Sequence, residues 1–184
     1  NYCGIRANFH PPFENVKHEI VIHPKMAFGT GHHATTFMMM KMMESLDFNG
    51  KEVFDYGCGT GILAILASME LAKTIDAVDI EIESYENTIE NATVNQVNNI
   101  TTFHGTMEDV PEKKYDIILA NINRNVILNS LDTLYTRLKP NSFLLVSGVL
   151  HADEKLVIET AKSCGFNYKH GIRKGDWSCL KFIN

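Results

Sequence analysis

From residue 52 onward, short continuous apolar runs alternate with longer stretches of helical spacing. The runs at 52–56, 75–79, 100–103, 115–122 and 143–147 read as strands. The fourth is almost wholly apolar, as a central parallel strand covered on both faces must be. Between them helices are predicted over 61–71, 82–96, 126–138 and 152–164, the third stopping at Pro140 and the fourth at Gly165. On the second of these, Ile82, Tyr85, Ile89 and Ala92 share one face, which is expected to pack on the sheet.

The ends of the chain follow other patterns. The first sixteen residues read as irregular, with Pro11 and Pro12 breaking any regular element, and 18–23 alternates around Ile20 and Ile22 as a short strand. A loop rich in glycine and small hydroxyl residues, PKMAFGTGHHATT at 24–36, leads to a helix that opens near Thr35 or Thr36 and ends before Asn49-Gly50. The methionines from Met38 to Met43 read as core and gap-filling positions of an amphipathic helix, whose exposed part is available to a further domain. The last two segments, 166–172 and 177–183, flank Lys174-Gly175-Asp176 and form an antiparallel pair in which Trp177 packs on the sheet. The fold class is α/β: an open, mostly parallel sheet with a C-terminal antiparallel hairpin, in one domain over 1–184 with 1–23 as an N-terminal extension.

Composition removes several function classes. The chain has 184 residues, 45% hydrophobic and 21% charged, with a net charge of −5, which gives no general grip on nucleic acid. No run approaches the roughly 20 apolar residues of a membrane span, and the first residues do not form a secretory signal. The four cysteines show no C-x-x-C pair and read as reduced thiols of a cytoplasmic protein, so the two glycosylation sequons, at Asn91 and Asn99, read as chance occurrences. The eight histidines have no metal-ligand spacing, and no metal is expected. Because it begins with Asn1, the chain reads as a fragment or processed form, with a preceding domain missing.

The candidate chemistry starts at 53–61, Val-Phe-Asp-Tyr-Gly-Cys-Gly-Thr-Gly, where an apolar strand enters three alternating glycines and then a helix. Such a turn lets backbone approach a nucleotide-like ligand, and the helix N-terminus offers free N–H groups to it. Asp79 closes the next apolar run, where an acidic residue can accept from both ribose hydroxyls; the alternative is a cap on the following helix. The third glycine comes one residue earlier than in G-x-G-x-x-G, the form usual for NAD. Asp55, at the end of the strand, would repel a pyrophosphate and attract an ammonium. S-adenosylmethionine has an ammonium, a sulfonium and a ribose but no phosphate, so it fits this strand end better than a dinucleotide. The competing reading of Asp55 is a cap on the backbone of the glycine turn.

With these residues in view, the chain resembles the class I S-adenosylmethionine-dependent methyltransferases, and within them the PrmA family, which methylates amino groups of a ribosomal protein of the large subunit. PKMAFGTGHHATT at 24–36, VFDYGCGTGILAILA at 53–67, DIILANI at 116–122 and SGVL at 147–150 carry the resemblance. It implies a Rossmann-like class I methyltransferase fold, S-adenosyl-L-methionine as methyl donor and a protein substrate. It implies donor contacts at Thr36, Gly57, Asp79 and Asn121, with Gly59 in the same loop and Phe28 beside the site. Two departures stand out: Asn123 falls where the family has leucine, adding a polar side chain near the mouth, and the chain reads as lacking the family's N-terminal substrate-recognition domain.

Transfer from a sulfonium requires the nucleophile opposite the sulfur, near 3 Å from the methyl group, with water kept out. Asn121, at the end of the fourth of these strands, is the candidate catalytic residue, accepting from the incoming amine and orienting its lone pair; the competing reading closes the strand or caps the next turn. Asn121 is followed by Ile122 and not by the Pro-Pro-aromatic sequence with which nucleobase methyltransferases clamp a planar group. His32 and His33 read as backbone-bonding residues of a tight loop. Glu108 and Asp109 read either as contacts to the adenine or as a solvated loop. The leading function is a protein N-methyltransferase acting on lysine and N-terminal amines as a monomer. A small-molecule amine acceptor, a non-catalytic donor-binding module and an NAD-dependent oxidoreductase are the alternatives.

Overall fold

The computed structural model describes residues 2–23 and 34–184. In chain order the elements are β1 (Cys3–Ala7), β2 (His18–Ile22), α1 (Ala34–Met43), β3 (Glu52–Tyr56), α2 (Ile62–Met69), β4 (Thr74–Asp79), α3 (Ile82–Val94) and β5 (Ile100–His104). They continue with β6 (Tyr115–Asn121), α4 (Arg124–Thr136), β7 (Leu138–Leu150), α5 (Glu154–Ser163), β8 (Asn167–Lys174) and β9 (Trp177–Ile183). Seven strands form one sheet in the order β5-β4-β3-β6-β7-β9-β8, in which β5 to β7 are parallel, β9 is antiparallel to β7, and β8 is antiparallel to β9. The α/β open sheet with a C-terminal antiparallel hairpin is the architecture the apolar runs predict.

Alternate residues of each strand feed opposite layers. Val53, Ile117 and Leu119 join α1 and α2 on one face, while Phe54, Ile118 and Leu144 join α4 and α5 on the other. The chain leaves β3 toward β4 and β5 on one side and reaches β6 and β7 on the other. The switch point therefore lies between β3 and β6, and ligands of open α/β sheets bind outside the carboxyl ends of such strands.

Four expectations are corrected. The first sixteen residues are not irregular throughout, because Cys3–Ala7 is a strand paired in parallel with β2, and Pro11 and Pro12 lie in the connection between the two. β7 begins at Leu138 and runs through Pro140; the register jumps from Tyr115↔Leu138 to Ile117↔Phe143, so the proline falls in the irregular stretch where no ladder donor is needed. In α1 the methionines are core, as expected, but Met38, Met39, Met40, Met42 and Met43 are all buried and leave no exposed methionine part. The exposed side chains are Lys41 and Phe37, the latter with the Lys174 ammonium 3.6 Å from its ring centroid.

The fourth correction concerns α3: of its predicted apolar face, the two isoleucines point outward, Tyr85 is half-buried and only Ala92 is buried. Ile82 and Ile89 are 42% and 43% exposed, while Ser84, Asn87, Thr88 and Asn91 are buried beside Ala92. The buried face meets backbone, not an apolar core. Asn95 bonds both the N–H and the carbonyl of Val21 (2.9 and 2.7 Å), and Asn91 accepts from the N–H of His23 at 2.9 Å. Buried backbone groups need partners, so this helix buries amides where pattern alone places isoleucines.

Candidate functional site: the glycine loop at the sheet switch point

β3 ends at Tyr56, and the chain turns through Gly57, Gly59 and Gly61 at φ of 75°, 55° and 77° before α2 begins. These left-handed conformations explain the alternate glycines. At Gly57 a side chain is also excluded by space, since an added Cβ would lie 2.1 Å from Cγ2 of Ile122. Hydrogen bonds hold the loop on several sides. The N–H groups of Gly57 and Cys58 donate to the Val78 carbonyl (2.9 and 3.1 Å), the Thr88 hydroxyl donates to the Gly59 carbonyl (3.0 Å), and the Asn91 amide donates to the Thr60 carbonyl (2.9 Å).

Two carboxylates flank the loop. Asp79 Oδ2 accepts the N–H of Gly59 at 2.9 Å and Oδ1 accepts that of Glu81 at 3.0 Å. These are bonds to the glycine loop and to the residue before α3, not to the first turn of the helix, so Asp79 does not cap α3, and each oxygen keeps a second lone pair for a hydroxyl. Asp55 is only 1% exposed; its Oδ2 accepts the N–H of Ala64 at 3.1 Å, whereas Oδ1 is buried with no partner among the described residues. Burial pushes the Asp55 carboxyl up to about 7, and the nearby charge of Asp79 adds to the effect. Asp55 thus caps the first turn of α2 and not the backbone of the glycine turn, and its other oxygen is left as an orphan acceptor.

At the end of β6, the Asn121 amide donates to the Thr36 hydroxyl at 3.4 Å, a long bond that ties the strand to the first turn of α1. Thr36 is buried and Asn121 half-buried. Asn123, the departure near the mouth, is the N-cap of α4: its Oδ1 accepts the N–H of Val126 at 3.1 Å. Asp109 closes a local cap with Thr106 (2.7 Å), and Glu108 is exposed. Phe28, His32 and His33 lie outside the described residues.

The structure thus gathers Gly57, Gly59, Asp79, Thr36 and Asn121 at the carboxyl ends of β3, β4 and β6. Sequence reasoning missed the supports. Thr88 and Asn91 stand at helical spacing on α3, a signal masked by the isoleucines of the opposite face. Ile122 sits over Gly57, and Gly148 (φ 82°) leaves room for the Ile122 carbonyl, which an added Cβ would approach to 2.1 Å. Ile80, 64% exposed immediately after Asp79, offers a flat apolar surface beside the loop.

The site fits S-adenosylmethionine better than a dinucleotide. An orphan carboxylate oxygen beneath the loop and a second carboxylate beside it suit a cationic ligand and oppose a pyrophosphate.

A family model described as Ribosomal protein L11 methyltransferase (PrmA) matches residues 4–184. The chain belongs to the ribosomal protein L11 methyltransferase family. It is 40% identical over 182 residues to the member of that name from Phocaeicola vulgatus, covering 98% of this chain and 65% of the relative. To the Porphyromonas gingivalis member it is 39% identical over 183 residues, covering 98% of this chain and 62% of the relative. The chain therefore spans slightly less than two thirds of these L11 methyltransferases. Its structure is similar to the crystal structure of the ribosomal protein L11 methylase from Lactobacillus delbrueckii subsp. bulgaricus, with a TM-score of 0.90 and 27% identity over 98% of this chain and 94% of that one. No helix among the described residues is long and apolar enough to cross a membrane.

Proposed function

We propose that this chain transfers methyl groups from S-adenosylmethionine to lysine and N-terminal amino groups of ribosomal protein L11. Residues 1–184 supply the transfer domain of a monomer, acting in the cytoplasm and without nucleic acid. Family membership supports the substrate. The observation that carries the chemistry is the pairing, at one switch point, of an orphan buried carboxylate under a glycine loop with an amide at the neighbouring strand end.

When bound, S-adenosylmethionine supplies a methyl group already activated on a sulfonium. The remaining work belongs to the chain. Gly57 and Gly59 let the backbone approach the donor closely, and Asp79 offers its second lone pairs to the ribose hydroxyls. Asp55 supplies negative potential beneath the loop, toward the ammonium end. A lysine amine, with a pKa near 10.4 in water, must arrive neutral, and half-buried surroundings favour that form. With its N–H engaged by Thr36, Asn121 presents its side-chain oxygen to the amine and directs the lone pair toward the methyl group.

The test is incubation with ribosomal protein L11 and labelled donor, followed by peptide mass spectrometry. Whole-methyl mass gains on lysine or N-terminal amines support the reading. Donor binding without any gain on L11, or gain only on added small amines, overturns it.

A further inference from the structure

α3 has the stripe of an amphipathic helix turned away from the protein. Ile82, Tyr85 and Ile89 recur at the i, i+3, i+7 spacing with which helices cover a core, yet both isoleucines are more than two-fifths exposed. Lone exposed isoleucines are ordinary on a protein surface; a helical stripe of them opposite a buried polar face is not.

The charge around this stripe is one-sided. Between Lys73 and Lys113 lie nine Asp and Glu and no Lys or Arg, so all seventeen basic residues of the chain fall outside this stretch. Glu81, Glu83 and Glu86 interleave with Ile82 and Tyr85 and are exposed. The ion pairs of this stretch among the described residues involve other acids: Lys113 with Asp76 (2.8 Å) and His23 with Glu90 (3.0 Å). The ring of His104 contacts that of Tyr85 at 5.9 Å, on the side of β5.

We infer that the outer face of α3 docks a basic, partly apolar segment of the protein substrate. Charge complementarity selects this occupant. A second copy would bring the same acidic face against itself, and nucleic acid or an anionic membrane would be repelled. A substrate methylated on lysine carries cationic side chains by its nature, and isoleucines between the glutamates give the apolar contacts that such a segment needs. The placement also fits: α3 starts just after Asp79, so its stripe, from Ile82 to Ile89, runs about 10 Å along the helix from the donor edge of the mouth. This rests on the proposed protein substrate.

The test compares three forms of the chain with ribosomal protein L11 as substrate: unaltered, Glu83→Lys with Glu86→Lys, and Ile82→Ser with Ile89→Ser. Leu156→Ser, on exposed α5, is the control. KM and kcat are measured at two salt concentrations, and donor affinity by calorimetry. Both double variants are expected to raise KM roughly tenfold with kcat and donor affinity unchanged, and charge reversal to flatten the salt dependence. An unaltered chain that methylates L11, with both variants matching it in KM, overturns the docking face and leaves the proposed function standing. An unaltered chain that binds donor but transfers nothing to L11 overturns both.

Discussion

The amide of Asn121 donates to the hydroxyl of Thr36 at 3.4 Å, so the last residue of β6 and the first turn of α1 share one side-chain contact. The contact fixes which end of the Asn121 amide is free. With the nitrogen turned to Thr36, the oxygen is the atom left for an incoming amine. Replacing Asn121 by Ala is expected to lower kcat about 100-fold, the scale of the loss when a reacting group is misplaced by about 1 Å. Donor affinity should change little by comparison. Steady-state kinetics and donor titration of the variant check both; normal turnover means that Asn121 only shapes the strand end.

Asp55 couples donor binding to pH. Its carboxyl is raised to about 7, well above the ordinary aspartate value of 3.8, so the folded chain holds a proton that the unfolded chain has lost between those values. Stability from this group is therefore present at low pH and falls as pH rises from about 4 to about 7. A cationic donor favours the ionised form, so its affinity should rise through about pH 7. Asp55→Asn is expected to abolish that rise, and its thermal stability should fall less than that of the parent chain between pH 5 and pH 8. Parallel pH slopes in the two proteins would contradict the assignment.

Asn91 holds two parts of the site with one side chain. Its amide donates to the Thr60 carbonyl and its oxygen accepts from His23 N–H, both at 2.9 Å, joining the glycine loop to the strand that enters residues 24–33. Asn91→Ala leaves those buried groups without partners and is expected to cost about 1–3 kcal/mol of stability. Urea denaturation measures this, and donor affinity should fall with it because the loop loses an anchor. A loss below a few tenths of a kcal/mol would show that water replaces the amide.

Gly57 faces two obstacles that a pair of variants separates. Gly57→Ala forces a side chain into a left-handed conformation and drives its Cβ into Ile122. Donor binding is expected to be lost. Adding Ile122→Ala removes the collision but not the backbone strain, so calorimetry should show partial recovery. Full recovery would mean that the φ value is immaterial.

Much of this was legible in the chain. The near-continuous apolar run at 115–121 marks a doubly covered strand, and the glycines with Asp55 and Asp79 mark the ligand loop, because local chemistry alone dictates them. α3 was misread on its packing because its neighbours are backbone groups of β2 and of the glycine loop, brought to it by contacts over more than twenty-five residues of sequence. β1 was missed for a related reason: Gly4 and Arg6 weaken its local pattern, and its pairing with β2 spans a proline-containing connection. Ile122 and Gly148 stand inside quoted motifs, but that one wedges beside the other is a fact of strand order.

Calorimetric titration of the chain with S-adenosylmethionine and, separately, with NAD tests the central claim most directly. The orphan oxygen of Asp55 beneath a glycine loop requires saturable binding of S-adenosylmethionine, weakened in Asp55→Asn, and no heat of binding with NAD. Binding of NAD with none of the methyl donor would contradict the account.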